Sequence, residues 1–74
     1  MKEGCIVKSL KGHDTGRIYV VLSEINESFV LLADGRYRKL ENPKQKRVKH
    51  LELIAEAVLP EMLTDSALRK MCKL

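Results

Sequence analysis

Gly4-Cys5-Ile6-Val7-Lys8-Ser9-Leu10-Lys11-Gly12-His13-Asp14-Thr15-Gly16-Arg17, running on into Ile18-Tyr19-Val20-Val21-Leu22, is the stretch that decides the fold class. Cys5, Ile6 and Val7, with Leu10, read as a first strand. Gly12 and Gly16 then open a loop, because glycine tolerates the positive φ that tight turns need. Arg17 to Ile25 is the strongest strand signal in the chain, being rich in β-branched, aromatic and aliphatic residues. It is apolar on both faces, as expected of a long bent strand that serves two sides of a barrel core.

Outward from this stretch the short-period pattern continues. Asn26-Glu27-Ser28 is a polar turn into Phe29-Val30-Leu31-Leu32-Ala33, so the two apolar runs form an antiparallel hairpin. Tyr19 and Phe29 are expected in the core. Asp34-Gly35 is the next turn. Tyr37 to Leu40 is a candidate fourth strand, broken at Asn42-Pro43 because proline lacks the ladder donor. Val48 to Ile54 is the last strand candidate. After Pro60 the period changes: Leu63, Ala67, Leu68, Met71 and Leu74 gather on one helical side. Thr64 suits the N-cap, Asp65 the positive end, and Arg69, Lys70 and Lys73 the negative end of a helix over about 65–73. The expected fold is all-β, a small five-stranded closed barrel over residues 1–56, with a helical tail over 57–74 packed on it.

The chain has 74 residues, net charge +4, 45% hydrophobic and 32% charged residues. That is one small globular domain, too apolar for a disordered chain and too short for two lobes around a cleft. A barrel this small is expected to offer little volume for a ligand pocket. The apolar runs Ile18–Leu22 and Phe29–Ala33 fall far below the roughly 20 residues of a membrane span. Met1-Lys2-Glu3-Gly4 leads into a strand-like run without the apolar core and cleavage site of a signal peptide, so a cytoplasmic location is expected. Cys5 and Cys72 are expected as free thiols.

Charge is unevenly spread. Residues 18–35 hold no Lys or Arg and three acids, whereas residues 36–50 hold seven Lys/Arg against Glu41 alone. This second stretch, Arg36-Tyr37-Arg38-Lys39 and Lys44-Gln45-Lys46-Arg47-Val48-Lys49-His50, can follow a phosphate backbone without demanding one base sequence. In A-form RNA the base edges are hidden in a deep, narrow groove, so shape and phosphate contacts dominate. Tyr37 is placed to stack on an unpaired base. In the glycine loop, Lys11, Arg17 and exposed backbone N–H groups suit phosphate oxygens. Asp14 is expected to cap the loop through its own backbone N–H groups.

Gly4, Val7, Gly12, Asp14, Gly16 and Arg17, followed by Tyr19-Val20-Val21, resemble the KOW motif of ribosomal and transcription-elongation proteins. Phe29-Val30-Leu31-Leu32, the basic run ending Lys46-Arg47-Val48-Lys49, and His50-Leu51 extend the resemblance. The layout over roughly residues 4–54 is similar to the archaeal/eukaryotic-type large-subunit ribosomal protein family called "fourteen-e", and to small bacterial KOW-containing RNA-binding proteins. The resemblance implies an SH3-like barrel that binds structured RNA, usually ribosomal RNA, with the ribosome or ribosomal proteins as partners.

The expected RNA contacts are therefore Lys11, Gly12, His13, Gly16, Arg17, Arg36, Tyr37, Arg38, Lys39, Lys44, Lys46, Arg47, Lys49 and His50. Acidic residues are scattered without a nucleophile–base pattern, so no enzyme activity and no cofactor are expected. Cys5, His13, His50 and Cys72 lack paired metal-ligand spacing, so no metal is expected. The alternative is a protein-interaction module of SH3-like type, in a transcription or ribosome-assembly complex. A methyl-lysine cage needs several exposed rings, and the chain has only two Tyr, one Phe and no Trp.

Overall fold

The computed structural model describes residues 1–73. The Leu74 position of the expected helical stripe lies outside them. Among the described residues, five strands build one antiparallel sheet: β1 (Ile6–Ser9), β2 (Ile18–Glu24), β3 (Phe29–Ala33), β4 (Lys44–Arg47) and β5 (Leu51–Ala55), in the order β4-β3-β2-β1-β5. A single 3-10 turn, Val48–His50, joins the two edge strands β4 and β5. Chain connectivity thus curls the sheet back on itself as a small SH3-like barrel. Helix α1 (Asp65–Met71) follows.

The long apolar strand divides its side chains as a period of two requires. Tyr19 and Val21 face the barrel core with Cys5, Val7, Val30, Leu32 and Leu51. Val20 faces the other way, with Ala33, onto the fully buried Leu68 of α1; Leu22, Leu40, Leu59, Leu63, Met71 and Cys72 pack around them. The β2–β3 register shifts between Val21 and Ser23, an irregularity of the kind that lets a strand bend. One strand therefore supplies both hydrophobic clusters, and the sequence reading of β2 holds.

Seven residues are too few for a stable isolated helix, so tertiary contacts hold α1 in place. The Thr64 hydroxyl accepts the Ala67 N–H at 3.1 Å as an N-cap. Asp65 Oδ1 accepts the Leu40 N–H at 2.9 Å, and the Arg69 guanidinium donates to the Gly35 carbonyl at 2.8 Å. Gly35 has φ +76°, and a Cβ there would run into the Asp65 carbonyl. Only glycine lets the turn and the helix meet this closely.

The fourth strand is not at 37–40. The Asp34 carboxylate accepts the N–H groups of Arg36 and Arg38, both at 2.9 Å, and Asp65 takes that of Leu40. Three alternate amides are thus withdrawn from any ladder, and the segment stays a turn. The strand forms after Pro43 instead, where the missing proline donor costs nothing. Val48 to Ile54 is likewise not one strand: Val48 N–H donates to the Ser28 carbonyl, and the ladder starts only at Leu51. The hairpin turn behaves as expected, with Asn26 Oδ1 accepting from Ser28 and Phe29 N–H. Phe29 itself is half-buried at the start of β3, outside both clusters.

Candidate nucleic-acid interface

The loop between β1 and β2 is organised by Asp14, whose side chain is only 3% exposed. Its Oδ1 accepts from the Ser9 hydroxyl at 2.8 Å and from Lys46 Nζ at 2.9 Å. Its Oδ2 accepts from the Tyr19 hydroxyl at 2.8 Å and pairs with Lys44 Nζ at 3.1 Å. Burial works to raise the carboxyl pKa, but the hydrogen bonds from Lys46, Tyr19, Ser9 and Lys44 outweigh it and hold Asp14 well below the usual carboxylate range. Burial, and then the bond to Asp14, pushes the Tyr19 phenol up to about 12. Asp14 therefore does not cap the loop through its own amides. Asp34 is the residue that does this, at the next turn.

Two expected phosphate contacts change role as a result. Lys44 and Lys46 point inward to Asp14, with Lys46 only 10% exposed along its side chain. Lys46 also donates to the Lys11 carbonyl at 2.7 Å, which seats β4 against the loop. Three backbone donors at the C-terminal end of the loop are spent as well. Thr15, Gly16 and Arg17 N–H groups donate to the Gly12, Ser9 and Asp14 carbonyls. At this end of the loop, side chains rather than those amides remain to meet a ligand. Gly16, at φ +91°, has open space where a Cβ would stand, so nothing obstructs approach there.

Of the other expected contacts, Lys11, Gly12, His13 and Arg17 are exposed on the loop, and Arg36, Tyr37 and Lys39 are exposed on the turn after β3. Arg38 is half-buried on that turn. Arg47 is exposed at the end of β4, Lys49 is exposed on the 3-10 turn, and His50 is half-buried beside it. Arg17 stacks on the Tyr37 ring at 3.8 Å from its centroid, and Arg47 lies over Phe29 at 4.9 Å. The imidazole of His50 is held below its ordinary pKa, first by desolvation and then by the charges of Lys11, Lys49, Lys46 and Arg47. The loop thus touches both halves of the basic stretch: Lys11 meets Lys46, and Arg17 meets Tyr37. Cationic side chains of helix α1, notably Lys70, stand near the same turn. From sequence, these side chains are placed only at the negative end of the helix dipole, since no local pattern brings them to this turn.

Cys5 and Cys72 are free. Among the described residues no group of three or more His, Cys, Asp or Glu side chains could hold a metal ion. No described helix is long and apolar enough to cross a membrane. Neither a protein-family model nor a curated protein matches this chain.

Proposed function

We propose that this protein is a non-catalytic RNA-binding barrel that grips the phosphate backbone of structured RNA, ribosomal RNA in particular, in a cytoplasmic, ribosome-associated role. The observation that carries this reading is the seating of strand β4 against the glycine loop by the Lys46 bond to the Lys11 carbonyl, which brings the exposed Lys11 to the strand that ends in the exposed Arg47, with the exposed Lys49 two residues on. The acidic partner inside this cluster is already satisfied, so the outward charge is positive. Lys11, Arg17, Arg36, Arg38, Lys39, Arg47 and Lys49 supply phosphate contacts. Lys44 and Lys46 shape the platform from beneath. The resemblance to KOW proteins points to the same partner.

Fluorescence anisotropy with a ribosomal RNA helix across a salt series tests the proposal. Six phosphate contacts would lower affinity by roughly three decades between 50 and 200 mM salt. Absent binding at low salt, or affinity flat with salt, would overturn it. A protein-interaction module is the second reading. It is favoured by the segment after β5, where Val58 is 90% and Met62 80% exposed; a salt-insensitive protein partner captured through Val58 and Met62 would support it.

A further inference from the structure

The seam between the 34–37 turn and helix α1 forms a half-open cavity of about 370 Å³. That lies at the low end of the range for small-molecule sites, roughly 300–1,000 Å³. Ile18, Arg36, Tyr37, Arg69, Lys70 and Lys73 line it. The volume comes from docking a helix against a turn, which is why the chain's small size did not forbid it.

The charges in the seam do not cancel. Its carboxylate, Asp34, is occupied by the Arg36 and Arg38 amides, and Arg69 is held by the Gly35 carbonyl. Among the described residues, the ion pairs of the protein involve Met1, Lys44 and Lys46, so Arg36, Lys70 and Lys73 are left without an acidic partner. Cys72 also borders the cavity. Burial, and then Asp34, pushes its thiol up to about 11, so it adds no negative charge at neutral pH.

An anion alone would not use the rest of the site. Tyr37 is 60% exposed, yet its ring is held by Arg17, which does not line the cavity. An aromatic ring fixed from outside and bordering a cationic cavity is a stacking platform next to a phosphate site. A paired base inside a helix cannot reach such a platform, whereas a bulged or looped base can.

Resting on the RNA reading above, we propose that this seam holds one unpaired nucleotide of the bound RNA, its base against Tyr37 and its phosphate among Arg36, Lys70 and Lys73. Helix α1 is then part of the binding surface as well as a packing element, and the preferred RNA is a helix interrupted by a bulge.

The test uses the full chain and two RNA hairpins that differ by a single bulged 2-aminopurine nucleotide, read by anisotropy and by 2-aminopurine fluorescence. The bulged hairpin should bind roughly five- to 150-fold more tightly, the worth of one base–aromatic stack, with a change in fluorescence on binding. Tyr37→Ala should erase both the preference and the fluorescence change, bringing the bulged hairpin to the affinity of the paired one. Lys70→Glu should weaken the bulged hairpin more than the paired one. Equal affinity of the wild-type protein for the two hairpins, or a preference that survives Tyr37→Ala, would overturn the inference and leave RNA binding standing. Failure of both hairpins to bind would overturn the RNA reading itself, and the inference with it.

Discussion

Replacing Asp14 by Ala should remove a large share of the stability of this domain. The carboxylate is 3% exposed and accepts from two hydroxyls and two ammonium groups. Taking away one partner of a buried ion pair costs about 3–5 kcal/mol, because the other charge stays behind unpaired. Here that charge is Lys46, 10% exposed. The buried Tyr19 hydroxyl also loses its acceptor, at about 1–3 kcal/mol, in part counted already. A domain of this size has about 4–11 kcal/mol in all, at 0.05–0.15 kcal/mol per residue. Urea denaturation followed by circular dichroism measures the loss, with Asp14→Asn as the milder variant, since its amide oxygen still accepts from one hydroxyl. Midpoints should rank wild type above Asn, and Asn above Ala. The acid side gives a second readout. A carboxyl depressed in the folded state contributes stability that is present above its unfolded pKa of about 3.9 and lost as pH falls through the folded value. Wild type should therefore lose stability progressively below about pH 4, and Asp14→Asn should show a shallower loss there. An Ala variant within 1 kcal/mol of wild type, with an unchanged acid profile, would refute the view that Asp14 organises the loop.

Tyr19 works at the opposite end of the pH scale: its pKa is raised to about 12, so its contribution is full below about pH 10 and disappears as pH rises through 12. In a Tyr37→Phe background, the phenolate absorbance of the folded protein should rise near pH 12, with stability falling over the same range; a folded-state phenol ionising near 10 would contradict this. Leu68→Ala should cost about 2–5 kcal/mol in a thermal or urea melt, and truncation after Pro60 should also lower the melting temperature; unchanged melting in either would mean that α1 does not stabilise the barrel. The double variant Arg47→Glu with Lys49→Glu should abolish RNA binding at a cost of at most about 1 kcal/mol to the fold, the worth of the exposed Arg47–Phe29 contact; unchanged affinity would make the basic stretch a solubilising face.

Much of the fold was legible because β2 and β3 carry dense β-branched and aliphatic runs set off by clear turn residues. The third strand has its expected limits, Phe29–Ala33, and the Thr64 cap forms as its residue type suggests. The fourth strand was misplaced because side-chain carboxylates decided it. Asp34 and Asp65 remove the amides that a strand at 37–40 would need, and Asp65 comes from 25 residues away in sequence. Composition alone then hides that the polar run Lys44–Arg47 takes the edge position. The candidate site was legible as a charge asymmetry but not in its division of labour. Seven Lys and Arg in 36–50 look alike in sequence. Only the burial of Asp14 separates Lys44 and Lys46, which face inward, from Arg36, Lys39, Arg47 and Lys49, which face solvent. The stacking of Arg17 on Tyr37 joins segments about twenty residues apart, and no local pattern encodes it.

The most direct test of the central claim is an amide chemical-shift map of the labelled protein titrated with a structured ribosomal RNA helix at low salt. RNA binding by this surface predicts shifts centred on the 11–17 loop, the 36–39 turn and residues 46–50, spreading to α1 when the RNA carries a bulge and reversed by raising the salt. No shifts, or shifts centred on β5 and the Val58–Met62 segment, would contradict it.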